Sequence, residues 1–220
     1  MGPTRVAAGD VAGTRGATAR WWPARAGCDA VVLPECLDAG WTCQETPALA
    51  APILGRSSDA RCRAAAEAGL HVAAGLAERD GARVHNAAAA DLISPSGEIL
   101  LRHRKIKELD IAPRLYAQGR SLAVAETAIG AIGLLTCPDA FPSSLSLGHA
   151  LARMGADAVL SPCAWAVEAG ARRYPPSSAS SASPCVARRR GPMPGMSASS
   201  SRVAGRRRAI SRRVRSWRMT

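Results

Sequence analysis

Three reactive side chains stand at comparable points of the sequence: Glu35 after the apolar run DAVVLP, Lys105 within HRKIKEL, and Cys137 after AIGLLT. Each follows a segment of strand character, and in layered α/β folds the strand ends are where side chains converge on a ligand. A carboxylate, an ammonium and a thiol meeting there form a nucleophilic site. The carboxylate takes the thiol proton, the thiolate attacks a carbon bonded to nitrogen, and the ammonium stabilises the negative charge that develops. Taken singly, each has a plainer reading, as a buried core thiol or a solvated strand end. Only convergence makes them a site.

The elements that must position them can be traced along the chain. GCDAVVLPEC, residues 27–36, is a β-branched apolar run that leaves its sheet at Pro34. Ser57 and Ser58 are candidate caps for an Ala-rich helix from Asp59 to Ala68, and Gly69 supplies the stop. His71 to Ala77 resumes at strand length. Val84 to Ile93 and Glu98 to Ile106 flank the turn Ser94-Pro95-Ser96-Gly97 and predict a hairpin. Leu122 to Thr127 and Ala131 to Thr136 predict another, Ser144 to Met154 an amphipathic helix, and Ala156 to Ser161 a closing strand. GCDAVVLPEC at 27–36 and GADAVLSPCA at 155–164 share glycine, Asp-Ala-Val and a proline after the strand. Two such units in one domain suggest a pseudo-symmetric layered α/β fold.

Charge divides the chain more sharply than its net of +12 suggests. Residues 1–26 carry +3, residues 27–168 carry −4, and residues 169–220 carry thirteen Arg and no acid. No Leu precedes Leu33 or follows Leu160, so the apolar stock for a core lies between the two basic ends. Residues 1–26 are accordingly expected to be a non-domain segment, 27–168 a partial domain, and 169–220 a disordered basic tail, too poor in branched apolar residues to offset its ordering entropy. No run of eighteen apolar residues occurs and no apolar segment precedes Trp21, so neither a membrane span nor a secretory signal is expected. Seven cysteines without a CxxC pair fit reduced thiols and a cytoplasmic location. Cys28, Cys36 and Cys43 lack zinc spacing, Cys62 is isolated, and His71, His85, His103 and His149 form no ligand pair. No metal or cofactor is therefore expected. The chain also lacks a GxSxG elbow and a glycine-rich phosphate loop.

VVLPECLDAGW around Glu35, LLRHRKIKELD around Lys105 and IGLLTCPDAF around Cys137 resemble the three signature segments of the carbon–nitrogen hydrolase (nitrilase) superfamily, in order. The segment GLAERDGARVHNAAAADLISPSGEIL resembles that family's usual hairpin, and GADAVLSPCAW the strand after its nucleophile. The resemblance covers about Gly27 to Trp165. It implies an α-β-β-α sandwich, incomplete here, and metal-independent hydrolysis of a small-molecule amide, nitrile or carbamoyl substrate. Glu35 is then the general base, Lys105 the oxyanion-stabilising cation and Cys137 the nucleophile that forms an acyl-thioester; a homodimer is also implied.

Two positions depart from that pattern. The family's oxyanion donor is usually the backbone N–H after the nucleophile, and here that residue is Pro138, which has none. A second structural glutamate usually follows the lysine at a distance, but residues 111–119 contain no acid and Glu108 stands too close, which leaves the fourth site residue unassigned. The abrupt change of composition in the tail suggests out-of-frame translation, and with it the alternative of an inactive truncated or frameshifted family member. A further alternative is a protein whose basic tail, densest at Arg188-Arg189-Arg190 and Arg206-Arg207-Arg208, binds nucleic acid or other polyanions without sequence preference.

Overall fold

The computed structural model describes residues 28–41, 43–109, 115–164 and 214–218. Two four-stranded sheets organise them. The first has the order β1 (Ala30–Val32), β2 (His71–Asp80), β3 (Arg83–Ile93) and β4 (Ile99–Leu101), with β1 and β2 parallel and the other neighbours antiparallel. The second has the order β7 (Ala158–Leu160), β6 (Gly130–Leu134), β5 (Ser121–Thr127) and β8 (Val214–Arg218). There β6 and β7 are parallel, while β5 runs antiparallel to both β6 and β8. Three helices accompany them: α1 (Thr46–Leu49), α2 (Arg56–Ala68) and α3 (Leu145–Arg153).

Alternation of side chains across each strand sorts the apolar residues into layers. Ala30, Val32, Ala73, Leu92 and Leu101 of the first sheet pack against Ala125, Ile132, Leu134 and Leu160 of the second. On the far side of the first sheet, Val31, Val72, Ala74 and Ile93 meet Cys62 and Ala65 of α2. On the far side of the second, Leu122, Val124, Ala131 and Leu135 meet Leu147 and Leu151 of α3. The result is the expected α-β-β-α layering.

Local chemistry explains most boundaries. Gly69 takes the left-handed conformation, φ 63°, that ends α2. The N-cap of α2, however, is Gly55; Ser58 lies inside the helix, where its hydroxyl donates to the Gly55 carbonyl at 2.8 Å. The helix therefore begins one turn earlier than the serines suggest. The β2–β3 hairpin falls within the segment that resembles the family's hairpin and turns at Gly81-Ala82, between the paired Asp80 and Arg83, with Gly81 at φ 59°, a position where such turns favour glycine. The strand β4 stops at Leu101, short of Lys105.

Within the tail, Val214–Arg218 pair with β5, with Leu122 opposite Trp217. The rest of 169–220 and the N-terminal segment 1–26 lie outside the described residues. Among the described residues, no helix is long and apolar enough to cross a membrane.

One close approach governs where Glu35 sits. Gly75 on β2 donates its N–H to the Pro34 carbonyl at 3.0 Å and accepts from the Leu37 N–H at 2.8 Å. A Cβ on Gly75 would fall 2.5 Å from Glu35 Cα and 2.9 Å from the Cys36 nitrogen, inside any tolerable contact. Gly75→Ala is thus expected to destabilise the protein by about 1–3 kcal/mol, the usual cost of forced overpacking. Denaturant unfolding measures it, and an unchanged midpoint would contradict this reading of the contact.

Candidate active site

Segment 101–106, beginning at the end of β4, keeps a strand-like alternation. Arg102 and Arg104 point outward, Arg104 to Glu78 and Asp80, each at 2.8 Å. His103 and Lys105 point inward and are buried. Lys105 Nζ, fully buried, lies 2.7 Å from Glu35 Oε1, 3.0 Å from Glu108 Oε2, and 5.4 Å from the centre of the Trp41 ring. Burial pushes the Lys105 pKa down, but the charges of Glu35 and Glu108 outweigh it and leave it raised. The amine is held as an ammonium.

Glu35 is fixed from several directions. Its Oε1 accepts from Lys105 Nζ and, at 2.6 Å, from Asn86 Nδ2. Its Oε2 accepts a longer bond, 3.3 Å, from the Ala164 backbone N–H. Asn86 Oδ1 in turn takes the Cys36 thiol at 3.2 Å, so β3 holds both residues of the turn after β1.

Cys137 opens a short 3₁₀ turn, Cys137–Ala140, in a left-handed conformation with φ 46°. Its thiol neighbours that of Cys163 and senses the charges of both Glu35 and Lys105. The Cys163 thiol, burial and the Glu35 charge push the Cys137 pKa up, with Lys105 opposing. Cys163 moves the other way, down to about 7, chiefly through the neighbouring Cys137 thiol.

Asp139, two residues after Cys137, joins the nucleophile turn to the lysine segment. It accepts the backbone N–H of Lys107 at 2.7 Å and of Ile106 at 3.2 Å. It also pairs with His103 at 2.8 Å, so His103 carries its proton on Nε2. The structure therefore brings the three sequence candidates, Glu35, Lys105 and Cys137, into one buried cluster.

Comparisons with known proteins bear on this cluster. A sequence model of the Carbon-nitrogen hydrolase family matches residues 9–191, most of the chain. The chain belongs to the carbon–nitrogen hydrolase family. Among curated relatives, Nitrilase 2 from an unknown prokaryotic organism is 39% identical over 106 residues, covering 47% of this chain and 33% of that protein. Omega-amidase NIT2 of Xenopus tropicalis is 29% identical over 126 residues, covering 53% and 45%. The chain thus spans a third to just under a half of the length of these relatives. Among solved structures, Saccharomyces cerevisiae Nit3 superposes with a TM-score of 0.62 at 21% identity, over 74% of this chain and 62% of that one. A mutant of the Nesterenkonia sp. AN1 amidase, carrying an acetamide moiety on its active-site cysteine, gives 0.65 at 19% identity, over 74% and 63%. These likenesses establish a shared nitrilase-like fold.

In this carbon–nitrogen hydrolase chain, the cluster also contains residues that sequence reasoning passed over. Glu108 is the main correction. Three residues from Lys105 looked too close, yet the chain bends after the alternating segment and returns the Glu108 carboxylate to the ammonium. The i,i+3 spacing of opposite charges was the available signal. Asn86 carried none. Cys163 was marked by the echo of the two strand units: counting from Gly27 and Gly155, it occupies the place of Glu35. Among the described residues five cysteines are free thiols, Cys36, Cys43, Cys62, Cys137 and Cys163, whereas Cys28 is disulfide-bonded, against the expectation of reduced thiols throughout.

The Glu108 side chain is fully buried and neither oxygen makes an aligned hydrogen bond, although Oε2 lies against Lys105. Burial raises its pKa from 4.5 to about 7 against the pull of Lys105. The folded protein then binds more protons than the unfolded chain between those values, so this contribution to stability is full below about 4.5 and is lost as pH rises through about 7. Glu108→Gln cannot titrate. Its stability relative to the parent should rise from pH 4.5 to about 7 and then level off, which urea unfolding of both proteins across that window measures; a constant difference would contradict the assignment.

Proposed function

We propose that this chain hydrolyses a small-molecule amide, with nitrile or carbamoyl compounds as the neighbouring substrate classes, through Cys137, Glu35 and Lys105. The observation that carries the reading is the buried Glu35–Lys105 pair at 2.7 Å beside a thiol that senses both charges. Relatives described as omega-amidase, nitrilase and cyanide hydratase support the same class of bond.

The geometry supports a role for each residue. The Cys137 thiol is protonated at neutral pH, so attack requires a base. Oε1 of Glu35 is engaged by Lys105 and Asn86, which leaves Oε2, held among the described residues by the long Ala164 bond, to accept the thiol proton. Sulfur then attacks the amide carbon, and the oxygen of the tetrahedral intermediate gathers negative charge beside Lys105 Nζ. Glu35 returns its proton to the departing nitrogen, giving ammonia or an amine and an acyl-thioester. Water, deprotonated by Glu35, attacks that thioester and restores the thiol while releasing the acid.

Ammonia release from a panel of amides and nitriles tests the proposal, with Cys137→Ala as the comparison. The variant is expected to lose essentially all release; equal rates would remove Cys137 from the chemistry. Pro138 permits a second test. A backbone donor at an oxyanion is worth roughly 10²–10³ in rate, and Pro138 supplies none. Pro138→Ala is expected to raise kcat, up to that range if the restored N–H reaches the oxyanion, with little change in KM. An active, folded variant with unchanged kcat would mean that Lys105 alone meets the charge.

A further inference from the structure

The second thiol of the cluster has no part in the hydrolytic steps above. Its position is set by the sheet. The strands β6 and β7 are parallel with Leu134 opposite Leu160, and the register continues past their ends: Leu135 donates to the Leu160 carbonyl at 3.2 Å and Cys137 to the Pro162 carbonyl at 3.1 Å. Cys137 and Cys163 each lie three residues beyond that last matched pair. Neighbouring strands are about 4.7–4.9 Å apart, within the Cα separations that a disulfide spans, and the two thiols are near enough to shift each other's titration. Both are free.

We propose that Cys137 and Cys163 are a redox-modification site, closing into a reversible disulfide when a hydroperoxide enters the pocket. Cys163 is oxidised first. It is half-buried where Cys137 is buried, its proton is lost near pH 7, and partly exposed thiolates are the sulfurs that peroxides reach. The Cys163 thiolate attacks the terminal peroxide oxygen; an S–O bond forms, the O–O bond breaks, and the peroxide leaves as an alkoxide that takes up a proton. The sulfur is now a sulfenic acid. Cys137 sulfur then attacks Cys163 sulfur, an S–S bond forms, the S–O bond breaks, and the departing hydroxide leaves with the Cys137 thiol proton as water. A dithiol reverses the bond by exchange. The modification rests on the strand register and the half-buried place of Cys163, while its effect on hydrolysis rests on the catalytic reading of Cys137.

Mild hydrogen peroxide on the full chain, followed by tryptic mass mapping, tests it. The expected product joins the peptides 121–153 and 154–172, which carry Cys137 and Cys163, two hydrogens lighter than their sum. Iodoacetamide labelling of both cysteines should fall at least ten-fold, and dithiothreitol should restore it. In Cys137→Ser, with no partner to attack, dimedone should trap the sulfenic acid on Cys163. Dimedone-labelled Cys163 accumulating in the parent chain, a bridge from either cysteine to another thiol, or progression of Cys137 to sulfinic acid without a bridge would each overturn the proposal. Loss of labelling without any change in ammonia release would leave the disulfide in place and overturn the catalytic reading of Cys137 instead.

Discussion

A single ammonium in the interior constrains this structure more than any other group. Lys105 is fully buried, and a buried charge without partners is too costly for a fold to carry. Two carboxylates and an aromatic face answer it: Glu35, Glu108 and Trp41. These partners come from two separate stretches of chain, so the turn after β1 and the segment after β4, with its bend at Glu108, must arrive together. Removing one member of a buried pair typically costs about 3–5 kcal/mol, because the other is left uncompensated. The cluster is therefore a condition on the fold as well as a reactive centre. Asp139 extends the condition to the nucleophile by fastening the Cys137 turn to the backbone of Ile106 and Lys107.

The layered architecture was legible because it follows from period-two burial and turn chemistry, both of which act over a few residues. Val31 faces α2 while Ala30 and Val32 face the other sheet, as an AVV strand between two apolar layers must. Glu35, Lys105 and Cys137 were legible because each follows such a strand. Glu108 was not, since its place depends on how the chain bends beyond β4, and no local rule sets that bend. Asn86 was invisible for a related reason: it interrupts an apolar run of β3 and is explained only by Glu35 and Cys36 across the sheet. Propensity misplaced the start of α2 because serine is a good cap in isolation, whereas the chain enters that helix through extended Gly55.

The two echoing units give the site a geometric logic. In each, an edge strand runs parallel to its neighbour, contributes to the layer between the sheets, and ends in a proline. Pro34 and Pro162 cannot donate to a continuing ladder, and each is followed by a residue of the cluster. In one unit it is a carboxylate and in the other a thiol, and the Ala164 N–H bond to Glu35 Oε2 stitches the two ends together. An acid and a sulfur beside Cys137 follow from one repeated strand ending.

Two backbone positions at the cluster are held against local preference. Cys36 and Cys137 both adopt left-handed backbone, φ 45° and 46°, a region in which residues with a Cβ are strained by about 1–3 kcal/mol. Such conformations persist only where surrounding contacts over-determine them. At Cys36 they are the Gly75 carbonyl bound to Leu37, the Cys36 carbonyl bound to Gly40, and Asn86 on the thiol. At Cys137 they are the Pro162 carbonyl bound to its N–H and the Asp139 carboxylate two residues on. Both strained positions feel the ammonium, and Cys36 also packs in the core with Ala39, Ala50 and Ala77. Relaxing Cys36 to an extended backbone would swing Glu35 away from Lys105, and relaxing Cys137 would turn its sulfur out of the field of both. The strain is what aims the carboxylate and the thiol at a common point, and the buried charge at that point is what makes the aim energetically worth holding.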